Sequence, residues 1–183
     1  MGLYGVFCYG YGMYYELPVS RYMFIQPILY QLDGETSHEL AVKAAQYPKM
    51  IRGILGMNYS GNDKSTKLET NVFGLGFKNC VGLAAGFDKN GETVDGMFDI
   101  GFGFIEIGSI TPKPQDGNPK PRVFRLLKDK AVINRYGFNS DGHKIVKERL
   151  KTRIDSGMYD INKGILGVNL GKNKTTPQEN SVD

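Results

Sequence analysis

The run Val81-Gly-Leu-Ala-Ala-Gly-Phe-Asp-Lys-Asn-Gly-Glu92 sets three residues without side-chain bulk directly before an acid and a lysine. Ala84, Ala85 and Gly86 leave bare backbone where a short apolar strand ends, so a flat ligand can lie against it. Asp88 and Lys89 then place charge at the rim of that platform. An ordinary β-to-α turn has the same composition, and the stretch gains meaning only beside two others. Ile107-Gly-Ser-Ile-Thr-Pro112 follows a second strand. It offers backbone N–H groups and the Ser109 hydroxyl to an oxygen-rich ligand, at the strand end where α/β sites lie. Asn134-Arg-Tyr-Gly-Phe-Asn-Ser140 supplies two asparagines, each a donor and an acceptor, which suit a ring of alternating C=O and N–H groups. Gly137 permits a sharp turn, and Tyr136 and Phe138 can screen a ligand from water. A plain loop in which Asn139 or Ser140 caps the next helix is the alternative.

Other patterns fail their tests. Gly167-Val-Asn-Leu-Gly-Lys-Asn173 is no phosphate loop, because position 166 is Leu166 and Lys172 is followed by Asn173 in place of Ser or Thr. Gly101-Phe-Gly103 lacks the third glycine of a dinucleotide fingerprint. His38 and His143 are too few for a histidine metal centre, and no metal is expected. Cys8 and Cys80 lie far apart and read as free thiols of a reducing compartment. Lys+Arg 23 against Asp+Glu 19 gives a net charge of +4, too small and dispersed to call for nucleic acid, although 113–153 is locally basic.

These residues need elements to hold them, and 183 residues suffice for one well-packed domain. Residues 1–19 form an apolar stub. Met1 to Tyr15 carries no charge and is rich in Gly and Tyr, shorter than the roughly 20 residues that span a bilayer. No basic region precedes it as in a cleavable signal, and its aromatics favour a membrane interface. Residues 20–55 read as helical. Thr36-Ser-His-Glu39 matches a capping box opening a helix with Leu40, Ala41, Ala44 and Ala45 on one side, closed by Pro48. A polar linker, 56–67, separates this segment from a main body over 68–183. There the pattern predicts a hairpin over 68–77, strands over 81–85, 102–107 and 164–170, and helices over 91–100 and 141–154. The second helix carries Ile145, Val146, Leu150 and Ile154 as its apolar stripe. Residues 111–134 read as a polar, proline-broken excursion. Strands alternating with helices predict an α/β fold with a parallel sheet covered by helices. About three βα units are visible, whereas a closed eight-stranded barrel takes roughly 250 residues.

Together, AAGFDKNGE, GFGFIEIGSITPKPQDGNPKPRVFRL, AVINRYGFNSDG and GVNLGKNKT, in this order over residues 22–176, resemble the quinone-dependent class of dihydroorotate dehydrogenase. The resemblance implies the first part of a (β/α)8 TIM barrel with FMN at the carboxyl ends of its strands, preceded by a small helical membrane-associated segment. It implies oxidation of dihydroorotate to orotate in pyrimidine biosynthesis, with ubiquinone as acceptor at the mitochondrial inner membrane. Ala84, Ala85, Gly86, Phe87, Asp88, Ser109 and Asn169 correspond to flavin contacts. Lys89 corresponds to a residue between flavin and substrate, stabilising the substrate carboxylate and negative charge developing on the flavin. Asn134, Arg135, Tyr136, Gly137 and Phe138 correspond to the loop that holds the orotate ring. His38 and Arg125 would border the quinone tunnel, which gives the apolar helices of 20–55 a purpose.

The base of this class is a serine in a later segment with no counterpart here, so the chain is expected to be a truncated form, inactive alone. Cys80 stands where the family usually has proline, and neither Gln26 nor Gln31 falls in register with its tunnel glutamine. A non-catalytic truncated product, or another FMN-dependent barrel oxidoreductase acting on a flat heterocycle, is the alternative.

Overall fold

The computed structural model of the chain describes residue 27 and residues 29–49, 68–157 and 163–180. The expected stub of 1–19 and the linker of 56–67 lie outside them. Helix α1, Gly34–Ala45, is opened by Asp33, whose carboxylate accepts from the N–H groups of Glu35 at 2.9 Å and Thr36 at 3.0 Å. The expected capping box therefore sits inside the helix: an aspartate three residues earlier satisfies the first free donors. Its buried face is Glu35, Val42 and Ala45, while Leu40 is half exposed, contrary to the expected stripe.

Strands β1, Thr70–Val72, and β2, Leu75–Phe77, form the expected antiparallel hairpin. The central sheet has β3, Gly82–Leu83, β4, Phe104–Ile110, and β7, Ile165–Leu170, all parallel in the order β3-β4-β7. Between β3 and β4 runs helix α2, Val94–Ile100, whose end Gly101 closes with N–H bonds to the Met97 and Phe98 carbonyls. Ile105 and Ile107 of β4, Val94 and Met97 of α2, Leu83 and Val146 form the core, each with 4% or less of its surface exposed. Burying each such side chain contributes about 1.5–3 kcal/mol, so this layer dominates the stability of the unit.

The excursion of 111–134 is not irregular throughout. Val123–Leu126 (β5) and Ala131–Asn134 (β6) pair as an antiparallel hairpin that packs on α1. Helix α3 runs His143–Asp155 and starts at Gly142 with no side-chain cap, so neither Asn139 nor Ser140 caps it. Its buried face is Val146, Leu150 in part, and Arg153; Ile145 and Ile154 of the expected stripe are 49% and 57% exposed. Arg153 takes the place of an apolar contact because it grips Asp95 of α2 with two 2.8 Å bonds, from Nε to Oδ2 and from NH2 to Oδ1.

One close approach ties α1 to the main body. A β-carbon at Gly96, in the middle of α2, would lie 1.8 Å from the Ala45 carbonyl oxygen at the end of α1. Glycine alone lets the two helices meet there.

Candidate functional site

The carboxyl ends of the three parallel strands are stitched together by short contacts. The Gly86 N–H donates to the Gly108 carbonyl, and the Gly108 N–H to the Asp88 carbonyl, each at 2.9 Å. The Ser109 hydroxyl bonds Asn169 Oδ1, and Asn169 Nδ2 donates to Glu106 at 3.1 Å. Residues 84–88, Ser109 and Asn169, far apart in sequence, thus share one end of one sheet. Ala84 and Gly86 are exposed, and a β-carbon built on Gly86 meets no heavy atom within 4 Å. The platform is bare and open, with a hydroxyl and an amide along its edge. It fits a planar ring system bearing carbonyl and N–H groups.

Asp88 does not put charge at the rim. It is 1% exposed, and its carboxylate accepts from the N–H groups of Glu92 and Thr93 at 2.8 Å and from the Thr93 hydroxyl at 3.0 Å. The side chain is spent on the turn into α2, and it is the backbone of Asp88 that meets Gly108 on β4. Lys89 is the opposite case. It is half-buried, makes no ion pair among the described residues, and holds Nζ 3.3 Å from the centre of the Tyr136 ring. Burial lowers its pKa to about 8; Glu35 and Glu39 oppose the shift, and Arg122 adds to it. Burial, then Glu35, pushes Tyr136 up to about 12, so the ammonium faces a neutral ring.

The orotate-loop candidates divide. Tyr136 and Gly137 turn inward, whereas Asn134 is exposed at the end of β6 and Phe138 is 64% exposed. Arg135 folds along the hairpin, donating to the Pro121 carbonyl at 3.0 Å and lying 5.8 Å from the Phe124 ring centre. The tunnel candidates meet on α1. His38 Nε2 stands 2.7 Å from the Phe87 carbonyl and therefore carries the proton. Its ring packs edge-on against Phe87 at 5.4 Å. Burial and the Lys89 charge hold His38 below its ordinary 6.5. Arg125 of β5 donates to the Leu32 carbonyl and, at 2.7 Å, to the Ser37 hydroxyl.

Residue spacing gave no hint of the strongest contact at the rim. Glu35 and Arg122, 87 residues apart and each 7% exposed, pair through NH2–Oε1 at 2.6 Å and Nε–Oε2 at 3.1 Å. Arg122 also lies 5.1 Å from the Tyr136 ring centre and donates to the Asp116 and Asn118 carbonyls. A separate polar cleft of about 550 Å³, lined by Asn90, Gln115, Asn118, Arg122 and Asn139 among others, touches none of Ala84 to Lys89.

With this geometry in hand, similarity to known proteins becomes specific. The family model for dihydroorotate dehydrogenase matches residues 67–183. The chain belongs to the dihydroorotate dehydrogenase family. It is 49% identical over 155 residues to the mitochondrial dihydroorotate dehydrogenase (quinone) of Mus musculus, covering 84% of this chain and 38% of that protein. It is 46% identical over 162 residues to the dihydroorotate dehydrogenase (quinone) of Pseudomonas aeruginosa LESB58, covering 88% of this chain and 44% of that one. Two crystal structures of DHODH from Eimeria tenella superpose with TM-scores of 0.69, in complex with ferulenol, and 0.68, ligand-free. At 42% and 44% identity they cover 85% and 80% of this chain, and 42% and 39% of theirs. The likeness makes the β3-β4-β7 sheet and its helices part of a TIM-barrel architecture. The chain spans roughly two fifths of the length of these dihydroorotate dehydrogenases.

Proposed function

We propose that this chain forms the flavin shelf and one wall of the substrate site of an enzyme that oxidises dihydroorotate to orotate, with FMN as cofactor and ubiquinone as final acceptor. The observation that carries the reading is Lys89: an ammonium with no carboxylate ion pair among the described residues, half-buried beside a bare shelf. A cation kept there at the cost of desolvation is suited to an anionic ligand, and dihydroorotate carries a carboxylate. FMN, when bound, supplies the acceptor for the hydride. Ala84, Ala85 and Gly86 give its ring a flat support, and Ser109 and Asn169 offer hydrogen bonds at the edge. Lys89 orients the substrate carboxylate and favours negative charge nearby. Asn134 and the loop to Phe138 close over the substrate ring.

The α1 segment, with His38 and Arg125, forms the quinone side. Among the described residues, no helix is long and apolar enough to cross a membrane. Contact with the membrane surface through residues 1–19, at the mitochondrial inner membrane, is suggested by their aromatic content, and a mitochondrial location by the name of the mouse relative. Fractionation of cells expressing the full-length protein tests the location.

The test of the reaction is reduction of bound flavin by dihydroorotate in the full-length protein. Lys89→Ala is expected to slow it by about 100-fold or more; an unaltered rate removes the role given to Lys89. A second reading concerns the 183 residues alone. Among the described residues, β7 pairs only with β4, and Leu170 on β7 is 76% exposed. This favours a chain that holds no flavin by itself, and the visible absorbance of the purified 183-residue chain decides.

A further inference from the structure

Helix α1 and Lys89 sit on different parts of the chain, yet three contacts join them in series. Glu35 of α1 grips Arg122, Arg122 lies 5.1 Å from the centre of the Tyr136 ring, and Lys89 Nζ lies 3.3 Å from that same centre. Each link is held from behind. Arg122 is pinned by the Asp116 and Asn118 carbonyls. Tyr136 is held by its own carbonyl, which accepts the Asn118 N–H at 2.8 Å, and by Asn118 Nδ2 bonding the Arg135 carbonyl at 2.8 Å. The approach of these two loops needs glycine at 117, where φ is +80° and a β-carbon would lie 2.2 Å from the Tyr136 carbonyl oxygen. A second contact runs in parallel, from His38 of α1 to the Phe87 carbonyl two residues before Lys89.

We propose that Tyr136 is a positioning residue that clamps the Lys89 ammonium, and that the Glu35–Arg122 pair makes the clamp answer to the seating of helix α1. Resting on the function proposed above, this means that the seating of α1 and affinity on the substrate side are coupled through the Tyr136 ring. A free lysine side chain samples many rotamers, and fixing its head over a ring removes that freedom before the substrate arrives. The groups facing Lys89 are Glu35, His38 and Glu39 from α1, Arg122 from the excursion, and Tyr136 itself. Burial lowers the Lys89 pKa most, and Glu35 of α1 is the carboxylate that opposes it most strongly.

The experiment uses the full-length holoprotein with dihydroorotate as ligand and NMR of labelled lysine as a second readout. With Tyr136→Phe, the upfield ring-current shift of the Lys89 ε-methylene is expected to persist, since the ring remains. With Tyr136→Leu, the shift is expected to vanish and Kd to rise by about tenfold. Glu35→Gln is expected to move the upper pH limit of dihydroorotate binding downward, because a carboxylate that favours the charged lysine is gone. The clamp is refuted if Leu matches the wild type in ring-current shift, or if Phe behaves as Leu does. Its coupling to α1 is refuted if Glu35→Gln leaves the pH limit in place. If the wild-type protein binds no dihydroorotate, the functional reading fails by itself; the Lys89 shift and its titration in Tyr136→Phe, Tyr136→Leu and Glu35→Gln still decide the clamp.

Discussion

Where the sheet carries Ala84, Ala85 and Gly86, position is fixed by parallel backbone pairing and by side chains such as Ile107, 0% exposed. At the rim that carries Lys89 and Tyr136, position is fixed by charge: Glu35 with Arg122, Arg125 with Ser37, an ammonium over a ring. Apolar burial is indifferent to pH, whereas ion pairs and desolvated charges answer to pH and are screened by salt. A support for a permanently held cofactor gains from the first kind of construction. A wall that must admit and release an anion gains from the second.

The difference can be tested by breaking one region and watching the other. Ile107→Ala is expected to cost about 3 kcal/mol by chemical denaturation and to disturb both regions, because the rim rests on the sheet. Glu35→Ala leaves Arg122 without its partner near the surface and is expected to cost roughly 2 kcal/mol. Hydrogen exchange should then speed up in α1 and β5 while the amides of β4 stay protected; equal loss in both would merge the two regions into one. Lys89→Met is expected to go the other way, raising stability by about 1 kcal/mol, because a desolvated charge held partly in water is removed. The same variant should bind no dihydroorotate in the full-length protein.

A pH series sharpens that opposition. The folded pKa of Lys89, about 8, lies below its ordinary 10.5, so the folded state binds fewer protons between those values. Stability should therefore rise as pH climbs from about 8 to 10.5, while affinity for an anionic substrate falls over the same range. Parallel trends in melting and binding would contradict this. At the small end, Ile145→Gln and Ile154→Gln are expected to stay within about 0.5 kcal/mol of the parent, since both side chains face water.

Much of the shelf was legible in the residues themselves. Alternation of strand and helix periods gave β3, α2, β4, α3 and β7, and small residues after β3 marked the platform. The rim was less so. Its hairpin, Val123–Leu126 with Ala131–Asn134, is masked by Pro112, Pro114, Pro119 and Pro121 ahead of it and is partly exposed on both strands. Its place depends on α1, a partner some 80 residues away that no local pattern reports. At the start of α1, Thr36 to Glu39 fits a capping box, yet Asp33 reaches the free N–H groups first. On α3, hydrophobicity alone does not predict burial, because Arg153 is buried by its bond to Asp95 while Ile145 and Ile154 face water. Asp88 differs from a rim charge for a related reason: sequence shows that a carboxylate is present, not which N–H groups have already claimed it.

Gly96 sets the tolerance for all of this. With 1.8 Å between its missing β-carbon and the Ala45 oxygen, a single added methyl must lever α1 off the body of the protein. Glu35 and His38 ride on that helix, so such a change would be felt at Lys89, a residue it never touches. A residue with no side chain is, in this sense, the adjusting screw of the Glu35–Arg122 ion pair.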